Sequence, residues 1–466
     1  MRNYQEFRGI FRMKMYEKTQ PVEKYLNVKL TCDCGRTHYA PIKAVEIGSG
    51  ALKKIPEYVK SFGYEHPYIL CDKTTYEIAG KKSEQYLKQA GINPVVLILK
   101  HTDFDEATLG EIVINKPDNC DLMIGCGTGS ITDMLRYSSF KLNLPCFTVA
   151  TGAPMDGFSA SVGIMNVNNL KATMPAHSTE VIIGDTDILE SAPYRMSIAG
   201  FGDLIGKLNA LNDWRLSAIV NNDHYCKNID QMVTDYVNDI MGKFDDIKRR
   251  DPSALGDLMN ALLLSGASIS LYGSSRAISG AEHHMSHYWE TIGDQRGKPF
   301  AMHGEQVAVA TVLTLRLSEK LAKCKFDYNR AKAAALEYDE KSWENEIRLA
   351  YGKAANAIIE LESESKKNLP DARICRIDRI QQNEDKVRDL LDRAYSPDKL
   401  RSILRYMGSP SDPKDIGVSP ELLKNTFLYC KETRNRYTIL QLAWDLGLLD
   451  ALSEEIISEL KNEERI

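Results

Sequence analysis

Between residues 41 and 149 short β-branched runs alternate with longer amphipathic stretches, and beyond Thr186 the strand signal all but stops. Candidate strands run Ala44–Ile47, Tyr68–Cys71, Pro94–Leu99, Asp121–Ile124 and Cys146–Val149. Helical patterns at Leu52–Phe62, Tyr76–Ala90, Glu106–Asn115 and Ile131–Leu142 lie between them. Strands separated by helices of this length make βαβ units, and βαβ units make a parallel sheet. Two apolar runs within 161–183 flank a polar stretch, Asn168–Glu180, which predicts a β-hairpin appended to that sheet.

The second half reads as helix throughout: Tyr194–Lys248, Ala254–Tyr272, Ser279–Thr291, Glu305–Lys323, Asn329–Leu361, Gln381–Met407 and three short segments to the end. The expected fold is therefore an N-terminal Rossmann-like α/β domain with a parallel sheet, followed by an all-α domain. The expected division is residues 1–40 as an N-terminal extension, 41–190 as the nucleotide-binding domain and 191–466 as the helical domain that binds metal and substrate. A charged stretch around Leu361–Asp398 looks like an insert without an assigned role.

The net charge of −5 provides no basic footprint, so nucleic acid is not an expected partner. Ten cysteines over 466 residues do not make a disulfide scaffold. Met1–Lys29 has no apolar core of a secretory signal, and the longest apolar run found, Ala261–Ser268, is too short for a membrane span. A cytoplasmic setting is the expectation.

Two glycine-rich turns follow candidate strands. The first is Gly125-Cys126-Gly127-Thr128-Gly129-Ser130-Ile131-Thr132-Asp133, which opens a predicted helix. Glycines let a phosphate approach the backbone there, and the first free N–H groups of the helix favour an anion. The plainer reading is a tight turn with a Ser/Thr N-cap. The second is Thr148-Val149-Ala150-Thr151-Gly152-Ala153-Pro154-Met155-Asp156-Gly157, at the carboxyl edge where open α/β sheets bind ligands. Its hydroxyls and carboxylate suit a nicotinamide ribose or a polyol, although an ordinary turn has the same composition. Asp72, at the end of an earlier strand, is the acid placed to hold a ribose.

The densest chemistry is Glu282-His283-His284-Met285-Ser286-His287, three of nine histidines within five helical positions. His283 and His287 are one turn apart on one face. His303 opens the next helical run, and Asp203 supplies a carboxylate from an earlier one. A lone helical histidine is most often a core or surface residue. Two imidazoles and a carboxylate with an open position suit a catalytic divalent metal, a Lewis acid for alcohol and ketone chemistry beside a nicotinamide. A weaker signal is Cys32-Asp33-Cys34-Gly35-Arg36-Thr37-His38. It could hold zinc, but no second cysteine pair follows at finger-like spacing, and a tight turn between two N-terminal strands is the preferred reading. The remaining cysteines read as small buried residues.

The Gly-rich turn ending in Asp133, the loop Ala153–Gly157, Gly202-Asp203 with Gly206-Lys207, the stretch Gly273–His284, His303-Gly304-Glu305 and Arg434–Leu440 occur together and in order. In this the chain resembles the glycerol-1-phosphate dehydrogenases, particularly the bacterial branch, within the dehydroquinate synthase-like group that also holds the iron-type alcohol dehydrogenases. The resemblance spans roughly residues 40–450. It implies reversible NAD(P)H reduction of dihydroxyacetone phosphate to sn-glycerol 1-phosphate for phospholipid metabolism, one Zn²⁺ or Ni²⁺, and a homodimer. The implied metal ligands are Asp203, His283 and His303, with His284 as the rival of His283. Asp156 and Asp203 would meet substrate, and His287 would relay a proton or support a ligand from behind. Gly127, Gly129, Ser130, Ile131, Thr132, Asp133, Thr148, Thr151, Gly152, Ala153, Pro154 and Ser161 would line the cofactor. Asp72 would hold the adenosine ribose and favour NAD over NADP. The family's serine four residues after the substrate aspartate is Ala160 here, between Ser159 and Ser161.

Three other functions fit the same residues less well. They are an unphosphorylated polyol dehydrogenase such as a glycerol dehydrogenase, a 3-dehydroquinate synthase-like cyclase with no net NADH consumption, and a silent binder of metal or nucleotide.

Overall fold

The computed structural model describes residues 22–101, 104–167 and 170–466 together with the short strand Phe11–Arg12. Two compact units divide the chain: Met1–Leu204 with Lys227–Ser275, and Ile205–Cys226 with Arg276–Ile466.

The first unit is built on a six-stranded sheet. Its strands are β1 (Ala44–Gly48), β2 (Pro67–Asp72), β3 (Val95–Leu99), β4 (Leu122–Gly127), β5 (Cys146–Ala150) and, after a hairpin of β6 (Val162–Val167) and β7 (Leu170–Pro175), β8 (Val181–Asp185). Their spatial order is β1-β8-β5-β4-β2-β3, and every neighbouring pair is parallel. The interior strands read as unbroken apolar runs because both faces are covered. Ile69, Ile124, Phe147 and Ile183 pack on one face, while Tyr68, Leu70, Met123 and Cys146 pack on the other.

The hairpin differs from the sequence reading. Its second strand lies inside the polar stretch, and the apolar run Val181–Ile183 becomes β8, paired with β1 and β5 at the middle of the sheet. β7 needs no continuous β-branched run, and Lys171 and Thr173 alternate with its apolar residues, because the pair is a two-stranded ribbon, whereas a strand buried on both faces needs the β-branched run.

Six helices matter for the site: α1 (Gly129–Leu142), α2 (Tyr194–Asn221), α3 (Lys227–Gly242), α4 (Pro252–Tyr272), α5 (Ala281–Gln295) and α6 (His303–Lys323). The chain passes from the first unit into the second within α2. Helix α4 corrects the reading of apolar length. It is 21 residues long and apolar enough to cross a membrane, yet 72% of its apolar window is buried inside the protein. Met259 and Leu262 face Gly184 and Gly200 of the same unit, as befits a core helix.

The second unit is helical around Met285, Trp289, Val309, Leu313, Phe427 and Leu440. The charged stretch near 361–398 contributes to this core. It forms the helices Pro370–Gln382 and Glu384–Asp392, burying Ile377, Ile380, Val387 and Leu391. The Arg376 guanidinium reaches both carboxylate oxygens of Asp445, at 2.7 and 2.8 Å. Removing one partner of such a buried pair costs roughly 3–5 kcal/mol, since the other charge is left uncompensated.

Candidate functional site

In the first unit the two glycine-rich turns leave adjacent strands at the same height. Gly127 of β4 pairs with Ala150 of β5, and the Thr151 N–H donates to the Gly127 carbonyl at 3.3 Å. Asp72 ends β2, the other neighbour of β4. These are carboxyl ends of parallel strands, the edge at which such sheets bind ligands.

Each glycine of the first turn has its own reason. A Cβ on Gly127 would lie 2.5 Å from Ile131 Cβ, so that glycine lets α1 start tightly against the sheet. A Cβ on Gly129 would meet no described atom within 4 Å, so that backbone opens to a ligand. Thr128 is the N-cap of α1 but makes no side-chain cap hydrogen bond, against the expected Ser/Thr cap. The first N–H groups of the helix thus keep the donor character that suits a phosphate.

The remaining expected cofactor residues divide by exposure. Ser130 is exposed, Gly129 and Asp133 are partly exposed, and Ile131 and Thr132 are buried. Thr151, Gly152, Ala153 and Pro154 form the buried loop after β5, and Ser161 stands partly exposed before β6. The Thr148 hydroxyl lies within the sheet, bonded to the Thr179 hydroxyl at 3.1 Å. Asp72 caps the next helical turn, accepting from the Thr75 N–H at 2.8 Å.

The loop that carries Asp156 is fixed from three sides. Its carboxylate accepts from the Ser265 hydroxyl at 2.6 Å, and its N–H donates to Asp203 Oδ2 at 2.9 Å. Arg136, fully buried, pairs with Asp133 and donates to the Ala160 carbonyl at 2.6 Å. Two helices press bare backbone against the loop. A Cβ on Gly200 would fall 2.0 Å from the Ala153 oxygen, and one on Gly266 would fall 2.2 Å from the Asp156 oxygen. The sequence reading missed Arg136 and Ser265, which no spacing rule connects to residue 156.

In the second unit α5 and α6 bring the histidines together. Ring centroids are 5.3 Å apart for His283 and His303, 6.1 Å for His283 and His287, and 5.6 Å for His287 and His303. A ring nitrogen of His283 lies within 4.8 Å of one of His303. His284, the rival ligand, joins no such cluster among the described residues. It is fully buried with no hydrogen-bond partner on either ring nitrogen among them. Burial, then Arg436, Arg434 and Lys367, push its imidazole well below the usual range, so it is neutral.

Buried carboxylates set the histidine tautomers. His283 Nδ1 lies 2.7 Å from Glu282 Oε1. Glu290 spans two imidazoles, with Oε2 3.0 Å from His287 Nδ1 and Oε1 2.9 Å from His303 Nδ1. Burial alone would raise both carboxyls. Contacts with His283, the Gly280 N–H and Asn209 hold Glu282 below the usual range, and His303 and His287 hold Glu290 well below it. An ionised carboxylate only accepts, so each of the three rings donates Nδ1–H and presents Nε2 on its far side. Burial pulls His287 down to about 4 despite Glu290, which keeps it neutral near pH 7. Such a carboxylate–imidazole arrangement is the outer support that metal-binding histidines need, and the donors here fit a divalent ion. Glu290 follows His283 by seven residues and His287 by three, one helical face that could have been read from the sequence.

Three arginines collect in the same unit. Arg276 and Arg436 line one cavity. Arg276 donates to Asp223 Oδ2 at 3.1 Å, and Arg436 donates to the Ser279 carbonyl at 3.0 Å. Burial, then the charges of Arg434 and Arg276, lower the Arg436 guanidinium. A region where cations press on one another stabilises an anion that enters it.

Residues 46–193 match the family model for iron-containing alcohol dehydrogenases. Solved structures agree on the fold. The glycerol dehydrogenase of Schizosaccharomyces pombe aligns with TM-score 0.58 and 16% identity over 90% of this chain and 92% of that one. A butanol dehydrogenase of Thermotoga maritima aligns with TM-score 0.55 and 14% identity over 89% and 97%. The parallel sheet followed by helices is thus the fold of an iron-type alcohol dehydrogenase. Within that class the chain belongs to the glycerol-1-phosphate dehydrogenase family. It is 32% identical to the glycerol-1-phosphate dehydrogenase of Halalkalibacterium halodurans over 64% of this chain and 76% of the relative. It is 26% identical to the enzyme of that name from Geobacillus stearothermophilus over 90% and 97%.

Proposed function

We propose that this chain is an NAD(P)-dependent dehydrogenase that interconverts dihydroxyacetone phosphate and sn-glycerol 1-phosphate with one divalent metal ion, Zn²⁺ or Ni²⁺. Relatives aligned over 90% and 89% of this chain are named glycerol-1-phosphate dehydrogenases [NAD(P)+], which supports the reading. The observation that carries the reading is the shared Glu290 carboxylate behind His287 and His303, which prepares two Nε2 lone pairs for chemistry.

In this reading Asp203, His283 and His303 hold the ion, and residues 191–466 supply most of the metal and substrate contacts. Residues 41–190 hold the dinucleotide at Gly127, Gly129–Asp133 and Thr151–Pro154, with Thr148 and Ser161 flanking and Asp72 on the adenosine ribose. When bound, the ion polarises the ketone oxygen as a Lewis acid, and the nicotinamide supplies the hydride. Asp156, held by Ser265 and Asp203, orients the substrate hydroxyl. His287, neutral and fixed through Nδ1, takes or returns a proton at Nε2. Arg276, Arg434 and Arg436 receive the phosphate, which favours a phosphorylated ketone over glycerol chemistry. The absence of disulfides among all ten cysteines suits a reducing cytoplasm. A homodimer is the expected assembly. NADH oxidation on dihydroxyacetone phosphate against dihydroxyacetone, before and after chelation, tests the reading. Activity on the unphosphorylated ketone alone would replace it with a glycerol dehydrogenase.

A further inference from the structure

We propose that Cys32, Cys34 and His38 hold a zinc ion, separate from the catalytic metal, that ties the N-terminal ribbon together beside helices α3 and α4. The ribbon is the antiparallel pair Leu30–Thr31 and Thr37–His38. Its turn closes through the Cys32 N–H to the Arg36 carbonyl at 3.1 Å and the Gly35 N–H to the Cys32 carbonyl at 3.1 Å, with Gly35 at φ +85°. Only this reversal lets ligands two and four residues apart converge. The two sulfurs and a ring nitrogen of His38 all lie within 4.8 Å of one another, and Cys34 Sγ is 3.3 Å from His38 Nε2.

The surroundings are those of a metal site. His38 is buried, and its Nδ1 lies 2.7 Å from the Leu271 carbonyl of α4. A carbonyl only accepts, so the proton is on Nδ1 and the Nε2 lone pair faces Cys34. The Asn228 amide of α3 donates to Cys32 Sγ at 3.1 Å, a contact that favours thiolate over thiol. Two thiolates and one imidazole are the soft donors that zinc takes, and one further donor completes its tetrahedron.

A physical need for the ion is evident in the ribbon's packing. Its own buried cluster is Tyr25 and Leu30, with Val28 beside them, little apolar surface to anchor a sheet whose three strands are two residues each.

The test is metal content of the full chain purified without added metal, on a background of His283→Ala with His303→Ala that empties the catalytic site. About one zinc per chain should remain there, and adding Cys32→Ser with Cys34→Ser should remove it. Cys34→His should retain it. Cobalt replacement in the unaltered protein supplies a readout that needs no cysteine variant. Intense thiolate-to-cobalt charge transfer and strong tetrahedral d–d bands are expected. A metal-free His283/His303 variant with intact cysteines, or a cobalt spectrum without thiolate bands, overturns the site. If the catalytic reading alone is wrong, zinc content will not differ between the unaltered chain and the histidine variant, and the cysteine variants will still lose it.

Discussion

The N–H of Asp156 donates to Oδ2 of Asp203 at 2.9 Å. One bond thus ties the loop after β5, where substrate is expected, to the carboxylate expected on the metal. The loop's position and the ligand's orientation are set together, so a change at one should be felt at the other. Gly200 and Gly266 hold the loop in that place by leaving no room beneath it.

Gly266→Ala should therefore act as a catalytic lesion at a distance. Its Cβ would meet the Asp156 carbonyl at 2.2 Å, a backbone atom that cannot rotate aside. Overpacking of this kind costs ~1–3 kcal/mol, and displacing a reactive loop by about 1 Å costs on the order of 100-fold in rate. Thermal unfolding and kcat/KM, measured on the same preparation, should both fall. Unchanged kinetics would mean that the loop does not position substrate.

Glu290→Gln keeps the shape but gives one imidazole an amide donor where it had an acceptor. One ring must then change tautomer or lose its partner. Metal affinity should drop about 10- to 100-fold, the usual penalty for losing an outer carboxylate, while the fold survives. Metal titration of the chelated variant checks this.

Arg434→Ala and Arg436→Ala should discriminate substrates. Each lost charged hydrogen bond to phosphate is worth roughly 1.5–3 kcal/mol, about 10- to 100-fold. KM for dihydroxyacetone phosphate should rise by that factor, with any weak activity on dihydroxyacetone unmoved. Equal losses on both ketones would assign the arginines to the fold.

Asp72→Ser keeps a capping hydroxyl for the Thr75 N–H and removes the charge. The ratio of kcat/KM for NADH over NADPH should fall, because a carboxylate at that strand end repels a 2′-phosphate. A constant ratio would leave Asp72 with only its capping role.

The sheet was legible because strands covered on both faces must be apolar throughout, and the glycine turns that follow β4 and β5 stand out against them. The hairpin was misplaced because a two-stranded ribbon carries no such run, so β7, with Lys171 and Thr173 between its apolar residues, was read into the polar stretch around it. Helix α4 looked too short because glycines and serines interrupt its apolar residues, although they too are buried. In the site the histidine cluster was visible as helical spacing, and so was Glu290 in retrospect. His283 takes precedence over His284 through its one-turn relation to His287. Arg136 and Ser265 reach the Asp156 loop through tertiary folding, and Arg436 reaches its cavity in the second unit in the same way, which leaves no local period to read.

The central claim is that the chain reduces a phosphorylated ketone with NAD(P)H, with Asp203, His283 and His303 as the residues that would hold a divalent metal as Lewis acid. The most direct test is NADH oxidation with dihydroxyacetone phosphate by chelated protein, then after adding back Zn²⁺ or Ni²⁺, beside His303→Ala treated identically. The account predicts activity lost on chelation, restored by metal in the unaltered chain, and not restored in His303→Ala. Equal activity of the chelated protein or of His303→Ala would contradict it.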